Sequence, residues 1–150
     1  MNAPITRAPK IKATLGEMIQ IPIKTDKLKD VSAISLSLKY NKTFLSYIKT
    51  TLSDELTAKD AGYTNVFQMP GDGNENIFLW RLAWSQLEPI TQLAHETVCI
   101  IEFNCLETGT TVLEWQTENG NCEYAGGIPS TPLEQTDDTY IDGYVKINQD

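Results

Sequence analysis

Histidine is almost missing from this chain: His95, in the loop "QLAHETV", is the only one. No cysteine or serine stands near it as a nucleophile, so Ser-His or Cys-His catalysis has no support and a lone surface histidine is expected. Cysteine is scarce too. Cys99, Cys105 and Cys122 are too few and too far apart for a disulfide framework, and no CxxC pair offers a zinc site. Buried free thiols are the simpler expectation, with a Cys105–Cys122 bridge across neighbouring strands as the alternative. Positive charge is in short supply, with 12 Lys+Arg against 20 Asp+Glu and a formal net charge of -8. No basic block reverses that field locally, which argues against nucleic acid or an anionic membrane as partner.

Long apolar runs are absent as well. None approaches the roughly 18–20 residues that span a bilayer, and "MNAPITRAPK" has no h-region of a signal peptide. That abrupt opening suits a piece cut from a longer, secreted polypeptide, so the compartment is not decided by it. Residues 1–9 read as an N-terminal tail or a remnant of expression, and 10–150 as one domain. The plentiful carboxylates form no recognisable acid/base pair. Asp72, Asn74 and Asn76 imitate the start of a calcium loop, but Ile77 and Ala83 occupy the places of its glycine and its bidentate glutamate. No metal or cofactor is therefore expected.

What the chain does contain is period-two alternation. Ile19, Ile21 and Ile23 alternate with polar residues, as do Ile34, Leu36, Leu38 and Tyr40, each set marking a strand with one buried face. Phe44 to Ile48, Val98 to Cys105, Thr111 to Trp115, Asn121 to Ala125 and Tyr144 to Ile147 are further candidates, with another piece around Ile11 and Ala13. "LETGT" is expected to close a hairpin at Gly109. "SDELTAKDAGYT" reads as a polar connection with room for one helical turn. No amphipathic helix of more than two turns is expected, so the class is all-β: a nine-stranded sandwich with jelly-roll topology.

"NIFLWRLAWS" holds the most informative strand. Phe78, Trp80, Leu82 and Trp84 share one face, a heavy apolar side expected to line the core, while Ile77, Leu79, Arg81 and Ala83 share the other. Trp80 and Trp115 are thus expected inside, and Trp84, at the strand's end, is open to either reading. Leu79 sits where a solvated strand carries polar groups, and Val98 and Ile100 repeat the anomaly beside Glu102 and Asn104. Strands apolar on both faces need a cover. A loop folded over them is one explanation; a flat patch where another protein docks is the sharper one.

The order of pieces resembles a cohesin module, the nine-stranded jelly roll of cellulosome scaffoldins that holds dockerin-bearing enzymes. "GEMIQIPIKT", "ISLSLKYNKTFLSYI" and "YIDGYVKI" resemble the family's opening, third-strand and closing patterns, and "FLWRLAWS" and "VCIIEF" stand where it has two consecutive strands of one sheet. The resemblance runs from about Ile11 to Asn148, while "CEYA" at Cys122 and the Trp-rich middle depart from it. It implies a noncatalytic module outside the cell or on its surface, part of a larger secreted protein. The implied partner is a dockerin-bearing protein that carries its own calcium. Family contacts fall on Ala33 and Ser35, with Ser37 beside them, and near Arg81 and Trp84. Together with the apolar anomaly this gives a docking face of Ala33, Ser35, Ser37, Leu79, Arg81, Ala83, Trp84, Ile100 and Glu102. The competing reading is a carbohydrate-binding module stacking sugars on Trp84, Tyr63 or Tyr124.

Overall fold

The computed structural model describes residues 2–57, 62–71, 73–127 and 129–149. Thirteen strands run in chain order: β1 (Thr6–Arg7), β2 (Lys10–Thr14), β3 (Met18–Thr25), β4 (Val31–Asn41), β5 (Leu45–Leu52), β6 (Tyr63–Pro70), β7 (Ile77–Ile90), β8 (Thr97–Cys105), β9 (Gly109–Trp115), β10 (Glu123–Gly126), β11 (Thr131–Pro132), β12 (Tyr140–Ile141) and β13 (Gly143–Asn148). They form a β-sandwich of the jelly-roll class. One sheet has five strands in the order β12-β1-β3-β8-β5; the other has eight, β11-β10-β4-β9-β13-β2, with β7 and then β6 added on the free side of β4. The helical turn in "SDELTAKDAGYT" is a single 3-10 turn at Asp54–Leu56, and residues 58–61 of that connection lie outside the described residues.

Alternation places the core. Ile34, Leu36, Leu38 and Tyr40 of β4 and Trp80, Leu82 and Trp84 of β7 face inward against Ile19, Ile21 and Ile23 of β3 and Ile101 and Phe103 of β8, all buried. The Tyr40 and Phe103 rings meet across the sandwich at 4.9 Å between centroids. Each inward tryptophan also satisfies its indole N–H: Trp80 donates to Thr50 Oγ1 of the opposite sheet at 2.8 Å, and Trp84 to the Leu56 carbonyl at 3.1 Å. Trp115 donates its indole N–H to the Ile141 carbonyl at 3.0 Å. These bonds turn large hydrophobes into links with one fixed geometry.

Several expectations need correction. Residues 2–9 of the expected 1–9 tail are not loose, because Thr6–Arg7 pairs with both β3 and β12 while Ala3 and Ala8 are buried. "LETGT" does not close a hairpin, since β8 and β9 lie in different sheets and the turn carries the chain from one to the other. Tyr63–Pro70, of which only Tyr63, Thr64 and Pro70 fall in the expected connection and turn and the rest was assigned to no element, is a strand; its mixed, uncharged sequence gives little alternation for a pattern search to find. All three cysteines are buried and unbridged, with Cys105 in the five-stranded sheet and Cys122 beside β4 of the other.

Candidate functional site

The strand pairing settles which outward side chains are neighbours. β10, β4, β7 and β6 lie side by side, with Ala125, Ala33 and Ser85 in one row and Glu123, Ser35, Ala83 and Asn65 in the next. Further rows bring Ser37, Arg81 and Phe67 together, and then Lys39, Leu79 and Met69. The centre of this face has a floor of small residues. Ala33, Ser35, Ala83, Ser85 and Ala125 line a shallow depression of about 230 Å³ with Tyr63 and Glu123 at its margins, smaller than the usual pocket for a small molecule.

Apolar groups rim that floor on one side. Tyr63, Phe67 and Met69 project from β6 as exposed residues, and Leu79 is half-buried between Lys39 and Met69. Four residues of β7, 86–89, have no partner on β4, because the pairing jumps from Ser85–Ala33 to Ile90–Val31. In this irregular stretch of β7, where Gln86 Nε2 donates to the Glu88 carbonyl, Leu87 is 99% exposed. Sequence reading did not mark Tyr63, Phe67, Met69 or Leu87 as part of an exposed apolar surface. The first three belong to a strand it did not recognise, and Leu87 owes its exposure to a register jump that no local pattern announces.

Charge is sparse on the face and partly committed. Lys39 pairs with Glu114 at 3.1 Å. The Arg81 guanidinium lies 5.9 Å from the Phe67 ring centroid, and among the described residues no carboxylate comes within salt-bridge distance. Arg81 is thus held by an aromatic ring with its hydrogen-bonding capacity largely unspent, the condition in which it can fork onto a partner's carboxylate or carbonyl.

The structure divides the expected site. Ala33, Ser35, Leu79, Arg81 and Ala83 do share one surface. Ile100 and Glu102 do not: β8 lies in the other sheet between β3 and β5, with Ile100 beside Pro22 and Thr51 and Glu102 beside Gln20 and Lys49. Consecutive strands in sequence are here opposite walls of the sandwich, so β7 and β8 cannot supply one apolar plane. Glu102 is nearly buried, with Lys49 Nζ 3.7 Å from its carboxylate. Val98, the other half of the anomaly, is fully buried at a β-bulge, where β8 spends an extra residue between the partners of Ile23 and Lys24.

Ser37 and Trp84 also leave the contact set. Ser37 lies on the outward side of β4 but is completely buried, because the chain detours there between β9 and β10. Gln116 N–H donates to the Ser37 carbonyl at 2.9 Å, and the Cys122 thiol sits 3.4 Å from its amide nitrogen. Desolvation pushes that thiol up to about 11, which keeps it protonated and able to donate back to the Ser37 carbonyl. Ser35 remains accessible and donates to the Asn121 carbonyl at 3.4 Å. Trp84 faces the core at 2% exposure, and Tyr124 is fully buried with its hydroxyl 2.6 Å from Thr6 Oγ1. Neither ring can stack on a sugar; of the three residues considered for that role only Tyr63 is open to solvent.

His95 is an exposed loop residue whose carbonyl accepts bonds from Lys24 Nζ and Thr97 Oγ1. Asp72 lies outside the described residues, and Asn74 spends its side-chain oxygen on the Asn76 amide at 2.8 Å. Among the described residues no cluster of three or more His, Cys, Asp or Glu could hold a metal ion.

Structural comparison places this architecture among cohesins. A non-cellulosomal cohesin from the archaeon Archaeoglobus fulgidus is 16% identical, with 97% of this chain and 91% of that one superposed at a TM-score of 0.68. The seventh ScaB type I cohesin of Pseudobacteroides cellulosolvens matches over 100% and 95% at 12% identity and a TM-score of 0.72. A type I cohesin–dockerin complex from Clostridium thermocellum matches over 99% and 95%, again at 12% identity, with a TM-score of 0.73. No family model and no curated protein matches the sequence. The chain therefore has the cohesin fold along its whole length, at sequence identities that carry the architecture alone.

Proposed function

We propose that this protein is a divergent cohesin: a noncatalytic adhesion module that captures a dockerin-bearing protein on the outer face of β10, β4, β7 and β6. The observation that carries the reading is the composition of that face. A floor of small side chains at Ala33, Ala83 and Ala125 lets a partner helix approach the backbone closely, while Leu79, Phe67 and Met69 supply apolar contact and Arg81, which spends one donor on Met69 Sδ, keeps the rest for a partner. Similar structures include cohesins seen in complex with dockerins, which supports the partner class. On this reading calcium belongs to the dockerin, and the chain works outside the cell as one part of a larger secreted or surface protein.

The test is capture of a panel of calcium-loaded dockerins by calorimetry. Ala83→Glu should lower affinity at least about 100-fold by filling the floor with an unpaired charge, with a near-native thermal melt. Leu79→Asp should also abolish capture. Ile100→Asp, on the opposite sheet, should leave binding intact; loss of binding there instead would move the site to the other face. Retention of the wild-type chain by cellulose or xylan in affinity electrophoresis, with no dockerin bound, would sink the proposal in favour of a sugar-binding module.

A further inference from the structure

An open sheet edge invites pairing with another chain, and natural proteins guard such edges with lysine, proline, bulges or brevity. The edges of this sandwich can be compared one by one. β2 carries Lys10 and Lys12. β5 carries Lys49 and a bulge at Ile48, where the register with β8 shifts. β11 and β12 are two residues long. β6 is eight residues long, pairs only with β7 among the described residues, and reads "YTNVFQMP" without a single charge. Its one guard, Pro70, stands at the very end.

The direction of the unpaired groups follows from the ladder. Gly71 donates its amide to the Ile77 carbonyl at 2.8 Å in continuation of the β6–β7 register. In the alternating antiparallel pattern Tyr63, Asn65, Phe67 and Met69 then turn their amides and carbonyls toward β7, while Thr64, Val66 and Gln68 turn theirs toward the open side.

We propose that β6 is a self-association edge, on which a second copy of this chain adds its own β6 antiparallel about a two-fold axis at Val66. In that register Val66 opposes Val66 and exchanges two backbone hydrogen bonds, and each Thr64–Gln68 pair exchanges two more. Pro70, which has no amide to give, falls outside the paired stretch. Side chains agree with it: Tyr63 meets Met69, an aromatic–sulfur contact, and Asn65 meets Phe67. A chain of net charge -8 repels its copies in general, and an uncharged seam is where that repulsion is weakest. The two-fold axis runs perpendicular to the sheet, so both outer faces point the same way and lie side by side. This pairing stands whether or not those faces bind dockerins.

Sedimentation velocity on the wild-type chain from about 10 μM to about 1 mM should show mass rising from 16.8 kDa toward twice that value. Hydrogen exchange at the Thr64, Val66 and Gln68 amides should slow over the same range. Asn65→Lys combined with Phe67→Lys places like charges opposite one another across the seam, on two exposed positions, and should remain monomeric with its circular-dichroism spectrum unchanged. A wild-type chain that stays monomeric at the highest concentration, or a lysine variant that dimerises equally well, overturns the proposal. So does exchange at those three amides that ignores concentration.

Discussion

At the scale of single residues, polar atoms attached to large apolar groups fix the core. Trp84 is buried and gives its indole N–H to the Leu56 carbonyl, so Trp84→Phe removes little volume but orphans that acceptor. A loss of about 1–3 kcal/mol is expected from urea denaturation, against roughly 3–5 kcal/mol for Trp84→Ala. Tyrosines set the alkaline limit. Burial pushes the Tyr40 hydroxyl up to about 12 and raises Tyr124 and Tyr140 further, so the fold retains protons that the unfolded chain releases near 10. That contribution to stability is fully present below pH 10 and is lost as pH rises toward 12. The melting temperature should hold from pH 8 to about 9.5 and then fall steeply. The thiols follow the same logic: desolvation raises all three, so native protein should leave a thiol reagent unreacted while the unfolded chain titrates three.

At the scale of elements, close backbone approach limits what the joints accept. Gly143 begins β13 where the strand passes Ala8 and Pro9, and a β-carbon there would strike the Pro9 carbonyl. Gly126 is in the same position against the Asp30 carbonyl, at the end of β10. These contacts are with backbone, which cannot swing aside as a side chain can. Gly143→Ala should cost at least roughly 1–3 kcal/mol in chemical denaturation and loosen the first ten residues, visible as faster exchange at Thr6 and Ala8. The N-terminal segment is thereby built into both sheets, β1 between β12 and β3 and β2 at the edge beside β13. Thr6 and Ala8 alternate with exposed Arg7, but three residues of alternation are too short a pattern to announce a strand, and their burial rests on what β12 and β3 place around them.

At the scale of the whole molecule, the sandwich presents two outer surfaces of different character. One, on β3, β8 and β5, carries Met18, Gln20, Lys49 and a nearly buried Glu102; the other carries the small-residue floor and its apolar rim. Mixed pairs of variants from the two surfaces should behave additively in stability, since their residues share no partners, while only one surface should respond in binding. Five of the nine residues expected to dock, Ala33, Ser35, Leu79, Arg81 and Ala83, share one outer face, and that shared face was legible because β4 and β7 are both long and regularly alternating, so each residue's side follows from parity. Ser37 obeys the same parity and is nonetheless buried, because the detour between β9 and β10 covers it.

By itself the sequence determined the all-β class and the inward faces of β3, β4 and β7, since alternation and residue type are local properties written along the chain. Tertiary structure alone decided that β7 and β8 stand in opposite sheets, that Val98 falls in a bulge, and that β6 exists and pairs, among the described residues, only with β7. Hydrogen-bond partnership joins residues far apart in the chain, and parity says which way a side chain points without saying which sheet it points from.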